Sequence, residues 1–154
     1  LVRLLHNRSG LVGLILITIY LVAAVFGALS LLPYSPTAQH VKNLMQPPGG
    51  QYLMGTDEFG RDVFSRVLRG ATNSLKVGLI SVAASSLVGV ILGATAGYVG
   101  GQFDNVVMRV MDVFFAFPAI LLALAIVAAL GASASNTILA ISIVYMPIFA
   151  RVAR

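Results

Sequence analysis

Three long stretches without Asp, Glu, Lys or Arg constrain this chain most: residues 9–41, 77–103 and 113–150. About 20 apolar helical residues cross a bilayer core of about 30 Å. A segment in lipid must pair its own backbone N–H and C=O groups, which a single segment achieves only as a helix. The alternating pattern of barrel strands is missing from these stretches. The sequence therefore predicts an all-α, polytopic membrane helix bundle.

Composition and charge support this class of protein. Only 10% of the residues are charged and the mean hydropathy is +0.95, whereas a soluble domain carries about 25% charged residues. The net charge of +5 is typical of basic residues that flank spans and meet anionic lipid, so membrane lipid is the expected partner and nucleic acid is not. With no cysteine and only His6 and His40, we expect neither a metal site nor a cofactor.

Four membrane-spanning helices fit into the three stretches. The first is too long for the apolar core of a signal peptide, about 7–15 residues, which favours a retained helix. The third is too long for one span and is interrupted by a small, polar segment at 131–136. The predicted spans are Leu11–Leu32, Leu75–Tyr98, Val113–Leu130 and Thr137–Arg151. The corresponding regions are 1–32 (N-terminal segment and first helix), 33–74 (connector) and 75–154 (three-helix core).

Residues 53–70 hold six of the fifteen charged residues, counting ten Lys and Arg and five Asp and Glu. Their apolar residues recur at helical spacing, which predicts an amphipathic helix from about Asp57 to Gly70 on the membrane surface before the second span. Thr56 or Asp57 would cap this helix, and Asp62 and Arg66 would pair at i,i+4. The alternatives are a solvated helix without a partner, or a calcium site that lacks the usual ligand spacing. The candidate contact residues here are Asp57, Arg61, Asp62 and Arg66.

Small residues mark one face of the second predicted span. Gly89, Gly93 and Gly97 recur every four residues, and serines extend the row towards the N-terminus. Such a row lets a neighbouring backbone approach closely, and we expect it either to pack statically or to line a pathway or moving interface. Pro118 and Pro147 are candidate kink positions, although Pro118 would equally suit the start of a helix.

The spans lack the groups that drive transport or catalysis. They contain no ionisable carboxylate or amine, which ion-coupled transporters and intramembrane enzymes need. The chain also has no G-x-x-x-x-G-K-[ST] phosphate loop. A membrane-embedded enzyme is therefore disfavoured, and any energy for transport has to enter from another subunit.

Four segments resemble a known family. "GTDEFGRDVFSRVLRGATNSL" is followed by "VGLISVAASSLVGVILGATAGYVGG", "FDNVVMRVMDVFFAFPAILLALAIVAALG" and "YMPIFARVAR". In order and spacing they resemble the permease subunits of bacterial ABC importers for dipeptides, oligopeptides and nickel, specifically the C-type permease. The most specific residues are Gly55–Asp57, Gly60–Asp62 and Ser65–Arg66, and the resemblance extends from about Leu11 to Arg154.

The resemblance implies a non-enzymatic, multi-pass permease of the bacterial inner membrane. Its expected partners are a second permease, two cytoplasmic ATPase subunits and a periplasmic solute-binding protein. Such permeases typically have six spans, and the loop after the fourth couples to the ATPase. We expect four of the six spans within this sequence, and we expect the coupling loop to begin where the sequence stops, at Arg154. The alternative from another class is a multi-pass scaffold or passive pore.

Charge does not decide the orientation, because five basic residues fall on each side of the four predicted spans. The resemblance implies cytoplasmic termini and a periplasmic region 33–74. Arg109 and Asp112 would then lie on a cytoplasmic loop, either paired at i,i+3 or in contact with the ATPase. The basic residues on the terminal side are Arg3, Arg8, Arg109, Arg151 and Arg154, and those on the opposite side are Lys42, Arg61, Arg66, Arg69 and Lys76.

Overall fold

A computed structural model describes residues 7–154, so Arg3 and His6 lie outside the described residues. Within that range every regular element is helical apart from one isolated bridge between Thr56 and Asp62, which confirms the all-α class. The chain divides into two compact units, the first ending at Leu75 and the second beginning at Lys76. The elements are α1 (Arg8–Ala28), a short 3-10 helix (Val41–Asn43), α2 (Val63–Val99), α3 (Gly101–Phe115), α4 (Ala119–Leu130) and α5 (Ala134–Ala153).

Three of these helices, α1, α2 and α5, are long and apolar enough to cross a membrane, and α3 with α4 counts as a fourth span only if the bent pair is taken together. The predicted span Val113–Leu130 is not one helix. Phe115 ends α3, α4 begins at Ala119, and the two axes differ by 90°. Pro118 lies at this break, with an extended ψ of 125°, because its ring disfavours helical geometry before it and removes a donor. Alone, α4 is about 18 Å long.

The first unit is held together where α1 packs against the beginning of α2. The Thr72 hydroxyl donates to the carbonyl of Ala24 over 2.7 Å. Gly27 lies so close to the carbonyl of Leu68 that no Cβ would fit. These pairs run in opposite directions along the two helices, so the packing is antiparallel. The remaining apolar side chains of α1 are largely exposed, as expected for a helix that contacts lipid.

The charged segment before the second span differs from its prediction. No helix begins at Asp57; residues 57–62 form a tight turn with Gly60 at φ 70°. The first helical residue is Val63, and α2 then continues without a break to Val99. A separate surface helix is therefore not formed, and the amphipathic residues make up the first turns of α2. Asp62 caps the helix, since its Oδ2 accepts from the amide of Ser65 over 2.8 Å.

In the second unit α5 is the central element. It packs against α4, α3 and the later part of α2. Its N-cap is Ser133, whose hydroxyl oxygen accepts from the amide of Asn136 over 3.1 Å. Pro147 lies inside α5 and is fully buried, and the helix is continuous through it.

Candidate functional site

The carboxylate of Asp57 is the centre of the charged segment. Its Oδ1 accepts from the backbone amides of Phe59 and Arg61 over 2.9 and 3.0 Å. Its Oδ2 accepts from Arg61 Nε over 2.8 Å and is also paired with the Arg66 guanidinium. Partial burial alone would raise the pKa of Asp57, but the Arg61 and Phe59 amides and the Arg61 guanidinium outweigh it and lower the pKa from 3.8 to about 2. The carboxylate is therefore ionised at neutral pH.

The connector before this turn is folded by side-chain hydrogen bonds to backbone. The Thr56 hydroxyl donates to the carbonyl of Asn43 and accepts from the amide of Gln46 over 2.8 Å. The Tyr52 hydroxyl accepts from the Asn43 side chain over 2.9 Å. Gly55 adopts φ 72° against the Gln46 carbonyl, where a Cβ would collide. The segment that leads into α2 is thus a defined structure.

The predicted pairing of Asp62 with Arg66 needs correction. Asp62 is only 3% exposed and caps α2, so it does not pair with Arg66. Arg66 reaches back to Asp57, because the turn at 57–62 brings the two together. Arg61 lies over the ring of Phe59, 4.5 Å from its centroid. Among residues 7–154 no three Asp, Glu or His side chains lie close enough together to hold a metal ion.

The glycine row of α2 lies directly against the backbone of α5. A Cβ at Gly89 would be 2.6 Å from the carbonyl oxygen of Met146, and one at Gly93 would collide with the Ala150 carbonyl. A Cβ at Gly97 would be 2.7 Å from the carbonyl oxygen of residue 154. In this structure the row is therefore a close helix–helix contact.

Serines continue the same contact towards the N-terminal ends of both helices. Ser81 Oγ lies 3.3 Å from the Ile138 carbonyl, and Ser85 Oγ lies 3.1 Å from the Ser142 carbonyl. Ser142 Oγ in turn lies 3.4 Å from the Ser81 carbonyl. In two of these serine contacts and in the three glycine contacts, the α2 residue lies against the backbone of the α5 residue 57 positions later. The two helices are therefore parallel and in constant register over five successive contacts.

Two ion pairs connect α3 to the C-terminal end of α5. Asp112 accepts from the Arg151 guanidinium over 2.6 Å, and Asp104 pairs with Arg154. Arg151 also lies 4.3 Å from the centroid of the Phe115 ring. The predicted Arg109–Asp112 pair is wrong, because the partner of Asp112 comes from α5. Arg109 instead lines a polar cavity of about 590 Å³ beside α3.

Sequence reasoning missed the roles of Asp104, Arg151 and Arg154. Asp104 is two turns before Asp112, and both acids therefore lie towards one side of α3 together with the buried Met108. This i,i+8 spacing was a readable signal. Their partners are about 40–50 positions away and could not be chosen without the packing of α3 on α5. None of these clusters contains an activated nucleophile or a metal ligand set, so the arrangement can position and contact but has no evident covalent chemistry.

Parts of the chain match two families of membrane permeases, and curated permeases are similar to it. Residues 1–48 match the family described as the N-terminal TM domain of oligopeptide transport permease C, and residues 89–154 match the binding-protein-dependent transport system inner membrane component. The dipeptide transport system permease protein DppC of Alkalihalophilus pseudofirmus is 43% identical over 99% of this chain and 50% of its own length.

Two further relatives give the same result. The probable D,D-dipeptide transport system permease protein DdpC of Escherichia coli is 42% identical over 80% of this chain and 42% of its own length. The glutathione transport system permease protein GsiD of Pectobacterium atrosepticum is 41% identical over 90% of this chain and 46% of its own length. The chain spans about half the length of the curated relatives that it matches. Its matched parts, residues 1–48 and 89–154, belong to the inner-membrane permease components of binding-protein-dependent transport systems.

Proposed function

We propose that the chain forms part of the translocation pathway of an ATP-driven, binding-protein-dependent importer for peptides or a related small solute. The observation that carries the proposal is the match to a dipeptide permease along 99% of this chain. The absence of ionisable groups from the long apolar stretches supports it, because the energy then has to come from another subunit. Relatives named for peptides and glutathione favour those solutes over nickel.

The partners that fit this role are a second permease, two cytoplasmic ATPase subunits and a periplasmic solute-binding protein. The chain itself has no nucleotide-binding phosphate loop. In the second unit, the ion pairs Asp104–Arg154 and Asp112–Arg151 fix α3 to the end of α5. If these residues face the cytoplasm, they position that end of α5 for an ATPase contact.

The function is tested by peptide uptake in a strain that lacks the full-length gene. Complementation should restore accumulation of a labelled dipeptide, and accumulation should stop when the nucleotide sites of the ATPase subunits are inactivated. A passive pore would continue to admit the peptide in the ATPase mutant. A scaffold would leave uptake unchanged when the gene is deleted. Either of these results would overturn the importer proposal.

We further propose cytoplasmic termini in a bacterial inner membrane, with the connector 33–62 and the α4–α5 turn on the periplasmic side. Ser135 is an exposed position in the first turn of α5, directly after that turn, and makes no cap, whereas Ser133 caps α5. Ser135→Cys should react with an impermeant thiol reagent in intact cells. The control Gln102→Cys, an exposed position at the start of α3, should react only after lysis. The reverse pattern would invert the orientation.

A further inference from the structure

An open cavity of about 520 Å³ lies beside the first turns of α2. Arg66, Arg69 and Asn73 line it from the helix, at spacings of three and four residues that place them on one face. Ser35 and Thr37 line it from the connector, with their hydroxyl oxygens 3.3 Å apart. The cavity thus collects two guanidinium groups, an amide and two hydroxyls, and none of its lining residues is acidic.

The positive charge in this cavity is only partly balanced. The single carboxylate of Asp57 is shared between Arg61 and Arg66. Arg69 is a half-buried residue whose guanidinium makes no ion pair or side-chain hydrogen bond within residues 7–154. A guanidinium offers five N–H donors in a planar fork. The cavity is therefore complementary to an anion with several acceptor oxygens.

The level of Arg69 along the helix pair indicates where that anion comes from. Leu68 packs against Gly27 in the last turn of α1. Arg69, the next residue, is accordingly level with that turn, where Val25 and Phe26 are exposed apolar side chains. A cation at the edge of the apolar zone reaches for the headgroup layer, because leaving it in hydrocarbon is costly.

We propose that this cavity binds the phosphate of an anionic phospholipid, with Arg69 as the principal ligand. The guanidinium fork would hold two phosphate oxygens, and Asn73, Ser35 and Thr37 would donate to the others. Free phosphate offers the same acceptor oxygens. The lipid is the favoured source because the apolar surface of α1 lies level with Arg69 and can contact acyl chains. This inference depends on the chain being in a membrane and not on which solute it transports.

The test uses the full-length permease in its purified complex and native mass spectrometry with added phosphatidylglycerol. Arg69→Gln should weaken retention of this lipid about tenfold, and Arg69→Lys should weaken it less, because lysine keeps the charge and loses the fork. The matched control is Lys42→Gln, which removes an exposed basic residue of the same unit that does not line the cavity. It should bind like the parent protein.

Further measurements distinguish a bound lipid from a free anion or a protein partner. The double variant Ser35→Ala, Thr37→Val should also weaken lipid retention, and gel filtration should show that every variant is intact. Inorganic phosphate should displace the lipid only weakly; displacement at equal concentration would overturn the lipid as the ligand and leave a free-anion site. Equal loss of lipid in Arg69→Gln and Lys42→Gln would overturn the proposal. The proposal would also fail if Arg69→Gln bound lipid normally but lost the second permease from the complex, because Arg69 would then contact a protein.

Discussion

The turn before α2 and the α2–α5 contact each hold two segments of the chain close together, but by opposite means. The turn uses a carboxylate that accepts from two amides and two guanidinium groups. The helix contact uses no charge at all; it removes side chains at glycines so that one backbone lies against another. Ion pairs are tolerated outside the hydrocarbon, whereas close packing and hydroxyl bonds to carbonyls serve within it. The stability of the turn should therefore depend on pH, and the stability of the helix contact should depend on side-chain size.

The largest effect is expected from adding volume to the helix contact. Gly93→Leu places a side chain against the Ala150 carbonyl, and helix backbone cannot yield without separating the pair. We expect a loss of about 3 kcal/mol, the upper end of the usual cost of overpacking, and loss of assembled complex. Val90→Leu is the control, since Val90 is 45% exposed on the same helix. Equal yields of the two variants on pull-down would show that the contact does not matter for assembly.

The turn should instead fail at low pH. Because folding lowers the pKa of Asp57 from 3.8 to about 2, its stabilisation is complete above about pH 4 and is lost as the pH falls through the folded value. The hydrogen-exchange protection factors of residues 55–66, which are corrected for the intrinsic pH dependence of exchange, should therefore fall between these pH values. Asp57→Asn should exchange rapidly at neutral pH and lose this pH dependence. The exposed Glu58→Gln is the control; if it behaves like Asp57→Asn, the effect is not specific to the turn.

A smaller effect is expected from changing one guanidinium of the turn. Arg61→Lys keeps the charge but loses the Nε bond to Asp57 and the contact with the Phe59 ring. In the full-length complex it should lower substrate-stimulated ATP hydrolysis roughly two- to fivefold, the equivalent of about 0.5–1 kcal/mol, with normal membrane insertion. Full stimulated hydrolysis in both Arg61→Lys and Arg61→Ala would show that this residue only anchors the turn at the membrane surface.

The smallest effect should come from one hydroxyl of the helix contact. Ser85→Ala removes a hydroxyl that is shared between the Ser81 carbonyl of its own helix, 2.6 Å away, and the Ser142 carbonyl of α5, 3.1 Å away. Hydrogen bonds between membrane helices contribute about 0.6 kcal/mol each. We expect a decrease of that size in the free energy of unfolding in detergent. Ser86→Ala is a matched control, because Ser86 bonds only within its own helix. A larger loss in the control would reverse this assignment.

The sequence predicted correctly those features of the fold that depend only on the composition of a single segment. The fold class and the span in α1 follow from apolar length, which needs no partner. The start of α2 was missed because a turn closed by Gly60 at positive φ competes with the helix, and Asp57 serves that turn rather than a cap. Asp112 was assigned to Arg109 by spacing alone, whereas its partner comes from α5. Tertiary contacts of this kind are not encoded in local spacing.

The constant register between α2 and α5 also determines how the pair could be misassembled. A slip of α5 by one turn, four residues or about 6 Å, would keep a glycine opposite Met146 and Ala150, which still fits sterically. The glycines alone would thus accept either alignment. The same slip would place the Ile138 carbonyl opposite Ser85 and the Ala134 carbonyl opposite Ser81, so the hydroxyls would find acceptors again. Glycines and serines at a spacing of four residues therefore leave the two alignments degenerate. Only Gly100 separates α2 from α3, so the slip would also carry Arg151 and Arg154 about 6 Å away from Asp112 and Asp104. The two ion pairs, which depend on particular side chains, therefore select one alignment.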